Sequence, residues 1–523
     1  MQTQRANSKK DLNKILSMSE KTAQELMSEA KEIFAKILPR ASSLTPKERI
    51  AIPAQEMPSQ DPHERRKNMS EVAIGYSPEQ VRLEAMRCLQ CKNAPCIKGC
   101  PVAINIPGFI QAAAEGDFQK SINIIKQNNV LPAICGRVCP QEEQCQTNCT
   151  VGKALKNKNL SVSIGRIERF VADWERENGK SESPEVLPET GKKVAIIGGG
   201  PAGITVAADV RRQGHAVTML EAFHKPGGVM VYGIPEFRLP KKIVEQEINT
   251  LKNMGVNVET NFVVGRTRTL NDLLGKDGFD AIFIGTGAGL PKFMNIEGEN
   301  LVGVFSANEY LTRSNLMRAF DPQAHTPIYP SQKVAVLGGG NVAMDAARTA
   351  VRLGAKEVHL IYRRTEVEMP ARIEEVAHAK EEGIIFHLLT NVKRVLGNND
   401  GRVQAVECLK YELGEPDASG RRRPVEIKGS EFMMDLDTVI VAIGNECNPL
   451  IKQTTPELSV NKWGNIIADD NGLTSMKKVY AGGDIVLGAA TVILAMGQGR
   501  KAAESINAEL KRNSSNDSQK QAS

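Results

Sequence analysis

The chain has 523 residues, 44 glycines and 41% hydrophobic content, enough for about three domains that each bury a core. Its formal charge is +6, yet the basic residues are scattered apart from short groups such as 421–423, and only 4% of residues are aromatic. That argues against a nucleic-acid binder with stacking platforms. No run of 18 apolar residues occurs and the opening MQTQRANSKK lacks the apolar stretch of a signal peptide, so the expectation is a cytoplasmic protein with no membrane span.

In residues 8–39 the apolar positions Leu12, Ile15, Leu16, Leu26, Ile33, Phe34 and Ile37 alternate with charges, which predicts an amphipathic helix that docks or lies on a solvated face. A proline-rich connector follows over 53–62. Eight of the ten cysteines then fall in residues 88–149. The first run is Cys88-x2-Cys91-x4-Cys96-x3-Cys100-Pro101; the second is Cys135-x3-Cys139-Pro140-x4-Cys145-x3-Cys149. Thiolates so closely spaced converge on a soft metal, and a run ending in Cys-Pro is like that of bacterial ferredoxins, although x4 stands where x2 is usual. Paired cysteines also serve disulfides and zinc sites. Disulfides need an oxidising compartment, which the absence of a signal-like stretch disfavours. Helix-like stretches between the cysteine loops predict a small helical module over 78–175, with a linker over 176–190.

From residue 192 the pattern becomes βαβ. Gly198-Gly199-Gly200-Pro201-Ala202-Gly203 follows an apolar strand and opens a helix, the context that gives a G-x-G-x-x-G run its meaning. Gly198 serves the tight turn, Gly200 the approach of a pyrophosphate, and Gly203 close helix packing. Glu221 ends the next strand, where a carboxylate meets ribose hydroxyls and repels a 2′-phosphate, so this loop favours FAD or NAD. The device returns as Gly338-Gly339-Gly340-Asn341-Val342-Ala343, and here the second strand ends in Tyr362-Arg363-Arg364 with no acid. Guanidinium groups suit a phosphate dianion, so the second loop reads as an NADP(H) site. Gly482-Gly483-Asp484 adds a later strand end, with an acid placed to meet a flavin ribityl chain. An apolar, small-residue helix over 489–503 could aim its amides at the flavin's pyrimidine edge. The polar tail from Arg512 reads as disordered.

The stretches RCLQCKNAPCIKGCPVAINIPGFI, ICGRVCPQEEQC, SIGRIERFVADW, YGIPEFRLPK, GGGNVAMDAAR and GDIVLGAATVILAMGQGRKAA resemble the NADPH-dependent glutamate synthase small-subunit family. That family includes the large subunit of the bifurcating ferredoxin:NADP oxidoreductase (Nfn) and is similar to the N-terminal half of dihydropyrimidine dehydrogenase. The resemblance implies an α/β protein in which an all-α iron–sulfur domain precedes two nested Rossmann-like dinucleotide-binding domains. The expected units are an N-terminal helical extension (1–62), a domain with two 4Fe–4S clusters (63–185), an FAD domain in two parts (186–330 and 438–511), an inserted NADPH domain (331–437) and a disordered tail (512–523). By motif position, Cys88, Cys91, Cys96 and Cys149 would hold one cluster, and Cys100, Cys139, Cys145 and Glu168 the other, with Cys135 the rival fourth ligand. The resemblance adds Gly227, Gly228, Arg238, Val264 and Thr286 to Gly483 and Asp484 in the FAD site. It adds Asn341 and Arg372 to the NADPH site.

Hydride transfer between nicotinamide and flavin needs no side chain as nucleophile or base, so no catalytic residue is expected. Anionic clusters and a flavin pyrophosphate would also balance the positive excess. The resemblance further implies a hetero-oligomer in which electrons pass from NADPH through FAD and the clusters to a second redox subunit. In the glutamate synthase role that subunit is a large FMN protein; in the Nfn-type or sulfide-dehydrogenase-type role it is a small flavoprotein. The extension before residue 57 is a candidate element for docking it. A thioredoxin-reductase-like dithiol enzyme is disfavoured, because the only later cysteines, Cys408 and Cys447, are far apart.

Overall fold

The computed structural model describes residues 21–179, 184–417 and 420–521, so residues 8–20 of the expected N-terminal helix lie outside the described residues. The helix Ala23–Ile37 begins with a capping box: Glu25 N–H donates to Thr22 Oγ1, and the Glu25 carboxylate accepts from Thr22 N–H at 2.7 Å. Its buried Ala30 packs with Ile33 and Phe34 against Leu83 and Met86 of the helix Pro78–Met86. Arg82 adds a cation over the Phe34 ring at 4.7 Å. The described part of the extension, from residue 21, is therefore docked on its own chain.

Four longer helices, Ile106–Glu115, Phe118–Lys126, Pro132–Val138 and Ile164–Asn178, and the short helical turns Pro95–Lys98 and Thr150–Ala154 build the rest of the cysteine module. They meet over fully buried Phe109, Ile122, Ile134 and Ile167. Phe118 sits edge-on to both Phe170 and Trp174, with ring centroids 4.9 and 5.8 Å apart. The last helix reaches Asn178 and so takes the first residues of the expected linker.

The first α/β unit is a parallel sheet built from β1 (Lys193–Ile197), β2 (Ala216–Leu220), β3 (Asn257–Glu259) and β4 (Ala281–Ile284). A two-stranded ribbon pairs β5 (Leu290–Pro291) with a later strand. The second unit holds β6 (Val304–Ser306), β7 (Lys333–Leu337), β8 (Glu357–Tyr362) and β9 (Ile385–Leu388). An antiparallel layer follows, with β10 (Thr390–Gly397), β11 (Val403–Pro416), β12 (Arg422–Glu426) and β13 (Phe432–Asp435). The chain then returns through β14 (Thr438–Val441), β15 (Asn445–Glu446) and β16 (Val479–Ala481). Strand order is β16-β4-β1-β2-β3 in the first sheet and β6-β14-β7-β8-β9 in the second. Each first strand is buried at four of its five residues, as a parallel strand covered on both faces must be.

Because β16 pairs with β4 after the whole second unit has been traversed, the second unit is inserted in the first. Two boundaries differ from expectation. β6 belongs to the second sheet, so that unit begins before residue 331, and β14 also belongs to it rather than to the FAD part that was to start at 438. Both are short edge-to-centre strands with no glycine loop to mark their sheet. Residues 512–521, whose polarity predicts disorder, continue the helix Val492–Gln521. Propagation from a packed start adds a hydrogen bond per residue without a new nucleation cost.

Candidate functional site

Cys88, Cys91, Cys96 and Cys149 surround one small cavity, walled by Ile106, Ile110, Val151 and Ile164. The two halves of the cysteine run are brought together by short turns: Cys91 Sγ lies 3.2 Å from Thr150 Oγ1, and Arg87 Nη1 donates to Ser161 O at 3.2 Å. Burial, with the neighbouring cysteines adding to it, pushes the Cys88 and Cys96 thiols up to about 11 and about 12. Four such thiols become thiolates only around a cationic centre, which is what an iron–sulfur cluster would provide. Among the described residues no three Cys, His, Asp or Glu side chains converge as tightly as on a single metal ion.

A second group lies deeper. Cys135, Cys139 and Cys145 are buried, and Cys100, partly exposed, senses both Cys135 and Glu168. Cys145 in turn senses Cys100, Glu168 and Cys96, so the deeper group adjoins the outer one. Glu168 sits on the buried face of the helix Ile164–Asn178 at 5% exposure. Burial pushes its carboxyl up to about 8; the only opposing influence is Asn129, whose Nδ2 donates to Oε1 at 2.7 Å. A carboxylate among thiols with no cation beside it fits a cluster ligand. Cys135 also faces this region, but its Sγ is 3.6 Å from Met496 Sδ and 3.7 Å from Asn129 Oδ1. Asn129, fully buried and touching both candidate fourth ligands, carries no signal in the sequence that would have singled it out.

The first glycine loop opens on a cavity of about 630 Å³. Gly198, Gly200, Pro201, Ala202, Glu221, Gly228, Val264, Thr286, Gly483 and Asp484 all line it. Gly198 has φ +99°, and a Cβ on Gly203 would lie 2.0 Å from Gly198 O, while one on Gly200 would meet open space. These are the three tasks a dinucleotide loop sets its glycines. Gly203 and Gly227 stand behind the lining: Gly227 N–H donates to Gly199 O at 2.8 Å and fixes the facing loop. Glu221 accepts from Gly199 N–H at 2.7 Å and Phe223 N–H at 2.9 Å, which aims it at the cavity. Burial raises its carboxyl, as it does that of Asp484, to about 6 in the latter. The start of the helix Val492–Gln521 closes the far wall with Val492 and Ala495, as the small-residue pattern predicts.

Arg238 is elsewhere. Its guanidinium pairs with Asp345 at 2.7 Å and Glu375 at 3.1 Å, joining the two α/β units, and it does not line the cavity. The stretch YGIPEFRLPK places it near the flavin in sequence, but partners more than a hundred residues away capture it.

At the second loop, Gly338 has φ +145° and a Cβ there would be 2.3 Å from Ala442 O. Ala343, fully buried, fills the third glycine's place, and Val342 is exposed. Of the arginine pair, Arg363 is exposed at the end of β8, whereas Arg364 is buried, with Nη2 2.9 Å from Asp417 Oδ2 and Nε donating to Arg422 O. Arg364 is thus a brace for the antiparallel layer, and of the pair Arg363 alone is exposed. Arg372 is also committed: its N–H donates to Asn341 Oδ1 at 3.0 Å, and its guanidinium reaches Arg137 O at 2.9 Å and Gln141 Oε1 at 3.3 Å. Gln141 Nε2 donates onward to Cys135 O at 3.2 Å, so Arg372 ties the nucleotide loop to the deeper cysteine group.

A buried charge network had no counterpart in the sequence reading. Arg348 binds Glu382 at 2.7 Å and also Glu375; Arg352 binds Glu382 at 2.6 Å. Arg65, at the end of the short helix Pro62–Arg65, adds Glu381 at 2.6 Å and Glu382 at 2.9 Å. Arg352 also lies 3.9 Å over the Phe237 ring. Against burial, which raises it, Arg238 and Arg348 pull Glu375 down to about 2.

Comparison with known proteins agrees with this geometry. Residues 65–180 match a family model described as dihydropyrimidine dehydrogenase domain II, 4Fe-4S cluster, and residues 192–499 match pyridine nucleotide-disulphide oxidoreductase. The chain is 37% identical over 467 residues to the glutamate synthase [NADPH] small chain of Azospirillum brasilense, covering 88% of this chain and 95% of that one. It is 40% identical over 443 residues to the NADP(+)-dependent formate dehydrogenase subunit beta of Moorella thermoacetica, covering 80% of this chain but only 60% of that protein. FprA of Mycobacterium tuberculosis, solved in complex with NADPH, shares the fold at TM-score 0.52 and 19% identity over 64% of this chain and 86% of its own. The chain is an oxidoreductase with a 4Fe–4S domain and the FAD- and NADPH-binding domains of the pyridine nucleotide-disulphide oxidoreductase family, and it belongs to the family of the NADPH glutamate synthase small chains.

Proposed function

We propose that the chain takes electrons from NADPH at the second loop, through FAD at the first, to two 4Fe–4S clusters and a partner subunit. One observation carries this reading: a single helix start separates the flavin cavity from the deeper cysteine group. Val492 and Ala495 line the cavity, and Met496 Sδ is 3.6 Å from Cys135 Sγ. A Cβ on Gly497 would lie 2.9 Å from Pro101 O, beside Cys100. Cavity, deeper group and outer ring therefore follow one another toward the surface.

When bound, the flavin accepts a hydride's two electrons and yields them singly, which iron–sulfur clusters accept. The chain's own residues supply binding and orientation. Gly200 leaves room for a pyrophosphate, Glu221 and Asp484 present acceptors to the ribose and ribityl side, and Arg363 selects the 2′-phosphate. Cys88, Cys91, Cys96 and Cys149 hold the outer cluster, and Cys100, Cys139, Cys145 and Glu168 the inner. In the family's role the partner is a large FMN subunit that makes glutamate. The 40% identity to a formate dehydrogenase subunit supports a second reading, in which a different redox subunit is served.

Anaerobically purified protein should contain about eight irons and one FAD and be bleached by NADPH in preference to NADH. Zinc in place of iron, or no flavin absorbance, would sink the reading. Arg363→Ala should weaken NADPH by about tenfold more than NADH, and equal losses would refute the phosphate role. Co-purification of the native complex tells the two partners apart: a large FMN subunit supports the first reading.

A further inference from the structure

Two side chains compete for one place in the deeper cysteine group. Cys135 comes from the helix Pro132–Val138 and Glu168 from the helix Ile164–Asn178. The helices lock together beside both: a Cβ on Gly136 would lie 2.6 Å from Arg169 N and 2.7 Å from Arg169 Cα, one residue after each candidate. A second lock stands near the first. A Cβ on Gly165 would lie 2.1 Å from Gln141 Nε2, the group that donates to Cys135 O. The two backbones are thus held at a fixed separation, and the choice of ligand falls to the side chains.

Asn129 stands between them, fully buried in the loop before the helix Pro132–Val138. That loop is anchored at its backbone. Asn129 N–H donates to Ile125 O at 2.9 Å, and Arg500 of the helix Val492–Gln521 donates to Asn128 O and, at 3.1 Å, to Gln127 O. The amide cannot turn over, because Oδ1 accepts from Leu131 N–H at 2.8 Å and a backbone N–H only donates. The other side of the amide is therefore Nδ2, which donates to Glu168 Oε1 at 2.7 Å. Glu168 Oε2 has no hydrogen bond among the described residues. To Cys135 the same amide offers only its oxygen, 3.7 Å from Sγ, and on another side Sγ is 3.6 Å from Met496 Sδ. One amide thus presents a donor to the carboxylate and an acceptor to the thiol, and only a deprotonated group ligates iron.

We propose that Asn129 is a positioning residue that gives the fourth ligand place of the inner cluster to Glu168 and holds Cys135 in reserve. With Oε1 occupied by the amide, Glu168 ligates through Oε2 alone. Withdraw the Nδ2 donor, and Cys135 takes the place. In that exchange the iron–oxygen bond breaks, an iron–sulfur bond forms and the thiol's proton passes to the released carboxylate; no electron is gained or lost. Ligand type and the hydrogen bonds around it are levers on a cluster's potential, so the exchange also shifts that potential. The inference rests on the proposed function, because it takes Cys100, Cys139 and Cys145 to hold a cluster.

The test uses full-length protein purified anaerobically, and it reads iron content, the EPR spectrum of the reduced clusters and their midpoint potentials. Asn129→Asp keeps the shape of the side chain and the acceptor for Leu131 N–H, and sets a second carboxylate where Glu168 had a donor. It should keep about eight irons while the EPR signal and potential of one cluster shift. Cys135→Ala alone should change neither iron nor spectrum. Both substitutions together should lose about four irons, because the first ligand and the reserve are then both out of place. Glu168→Ala should keep about eight irons through Cys135 and give the spectrum of Asn129→Asp, so the question survives if the aspartate variant does not fold. A native spectrum and potential in Asn129→Asp would overturn the role of Asn129. Loss of iron in Cys135→Ala alone, loss of iron in Glu168→Ala, or a full complement in the double variant would overturn the reserve role of Cys135. Absence of iron from the unaltered protein, or zinc in its place, would instead overturn the proposed function, and that is read before any variant is made.

Discussion

Where the first α/β unit meets the iron–sulfur domain, the contact is apolar: Ile196, Val206, Val244 and Met496 share one core with Phe109, Ile134 and Ile167. Where the second unit meets the rest of the chain, the contact is ionic. Arg65 reaches Glu381 and Glu382, Arg238 reaches Asp345 and Glu375, and Arg372 reaches Glu142 across it, while Arg348 and Arg352 of the second unit hold Glu375 and Glu382 in place, with most of these side chains nearly inaccessible. Apolar burial is non-directional and scales with area, whereas a buried ion pair offsets its desolvation only in one geometry. The flavin unit is thus held firmly, and the NADPH unit is held in one orientation.

Breaking the ionic side should have the largest effect. Arg348→Ala leaves Glu375 and Glu382 buried with the guanidinium they share removed and should cost about 4 kcal/mol. Hydrogen exchange should rise over residues 341–382 and stay low over 193–220; an equal rise in both would erase the contrast. On the apolar side, Ile506→Ala, at a fully buried position, should cost about 3 kcal/mol by denaturant titration. That cost should be the same at low and high salt, and a strong salt dependence would count against the apolar reading.

His378 gives the ionic side a pH signature. Both its ring nitrogens are buried without hydrogen-bond partners, and burial, with Arg348 and Arg65 nearby, pushes it down from 6.5 to about 4. The imidazole faces Arg348, Arg65, Glu374 and Glu375. Below its ordinary value the unfolded chain takes up a proton that the folded state refuses. Stability is therefore full above 6.5 and falls as pH drops toward 4, by up to about 3 kcal/mol. His378→Leu should remove this part of the slope in acid melts, and an unchanged slope would rule out the assignment. The smallest effect is expected from Arg364→Ala, which loses the brace to Asp417 and should cost about 1 kcal/mol while sparing NADPH affinity.

What the sequence made legible was local. A glycine loop states its purpose through backbone sterics a few residues apart, and Gly198, Gly200 and Gly203 meet those demands. Cysteine spacing likewise announced a soft-metal site, but the grouping of Cys149 with Cys88, Cys91 and Cys96, which surround one cavity, came from the family resemblance. Long cations were less readable, because a guanidinium on a flexible stem takes whichever anion the fold delivers. Arg238, Arg364 and Arg372 each sit near a nucleotide loop in sequence, and each is captured by acids or carbonyls from distant segments. The deeper group's Asn129 and the Arg65 contact to Glu382, 317 residues apart, had no local pattern to betray them.

The insertion of one sheet inside the other has a consequence for how the protein is made. β16 closes the first sheet beside β4, so that sheet stays incomplete while about 200 intervening residues are synthesised, roughly 10–40 s at about 5–20 residues per second. Throughout that interval the bare edge of β4 and the unfilled flavin cavity are open to mispairing. The nascent chain therefore has reason to seek a chaperone, or early flavin, before its last helix emerges from the ribosome.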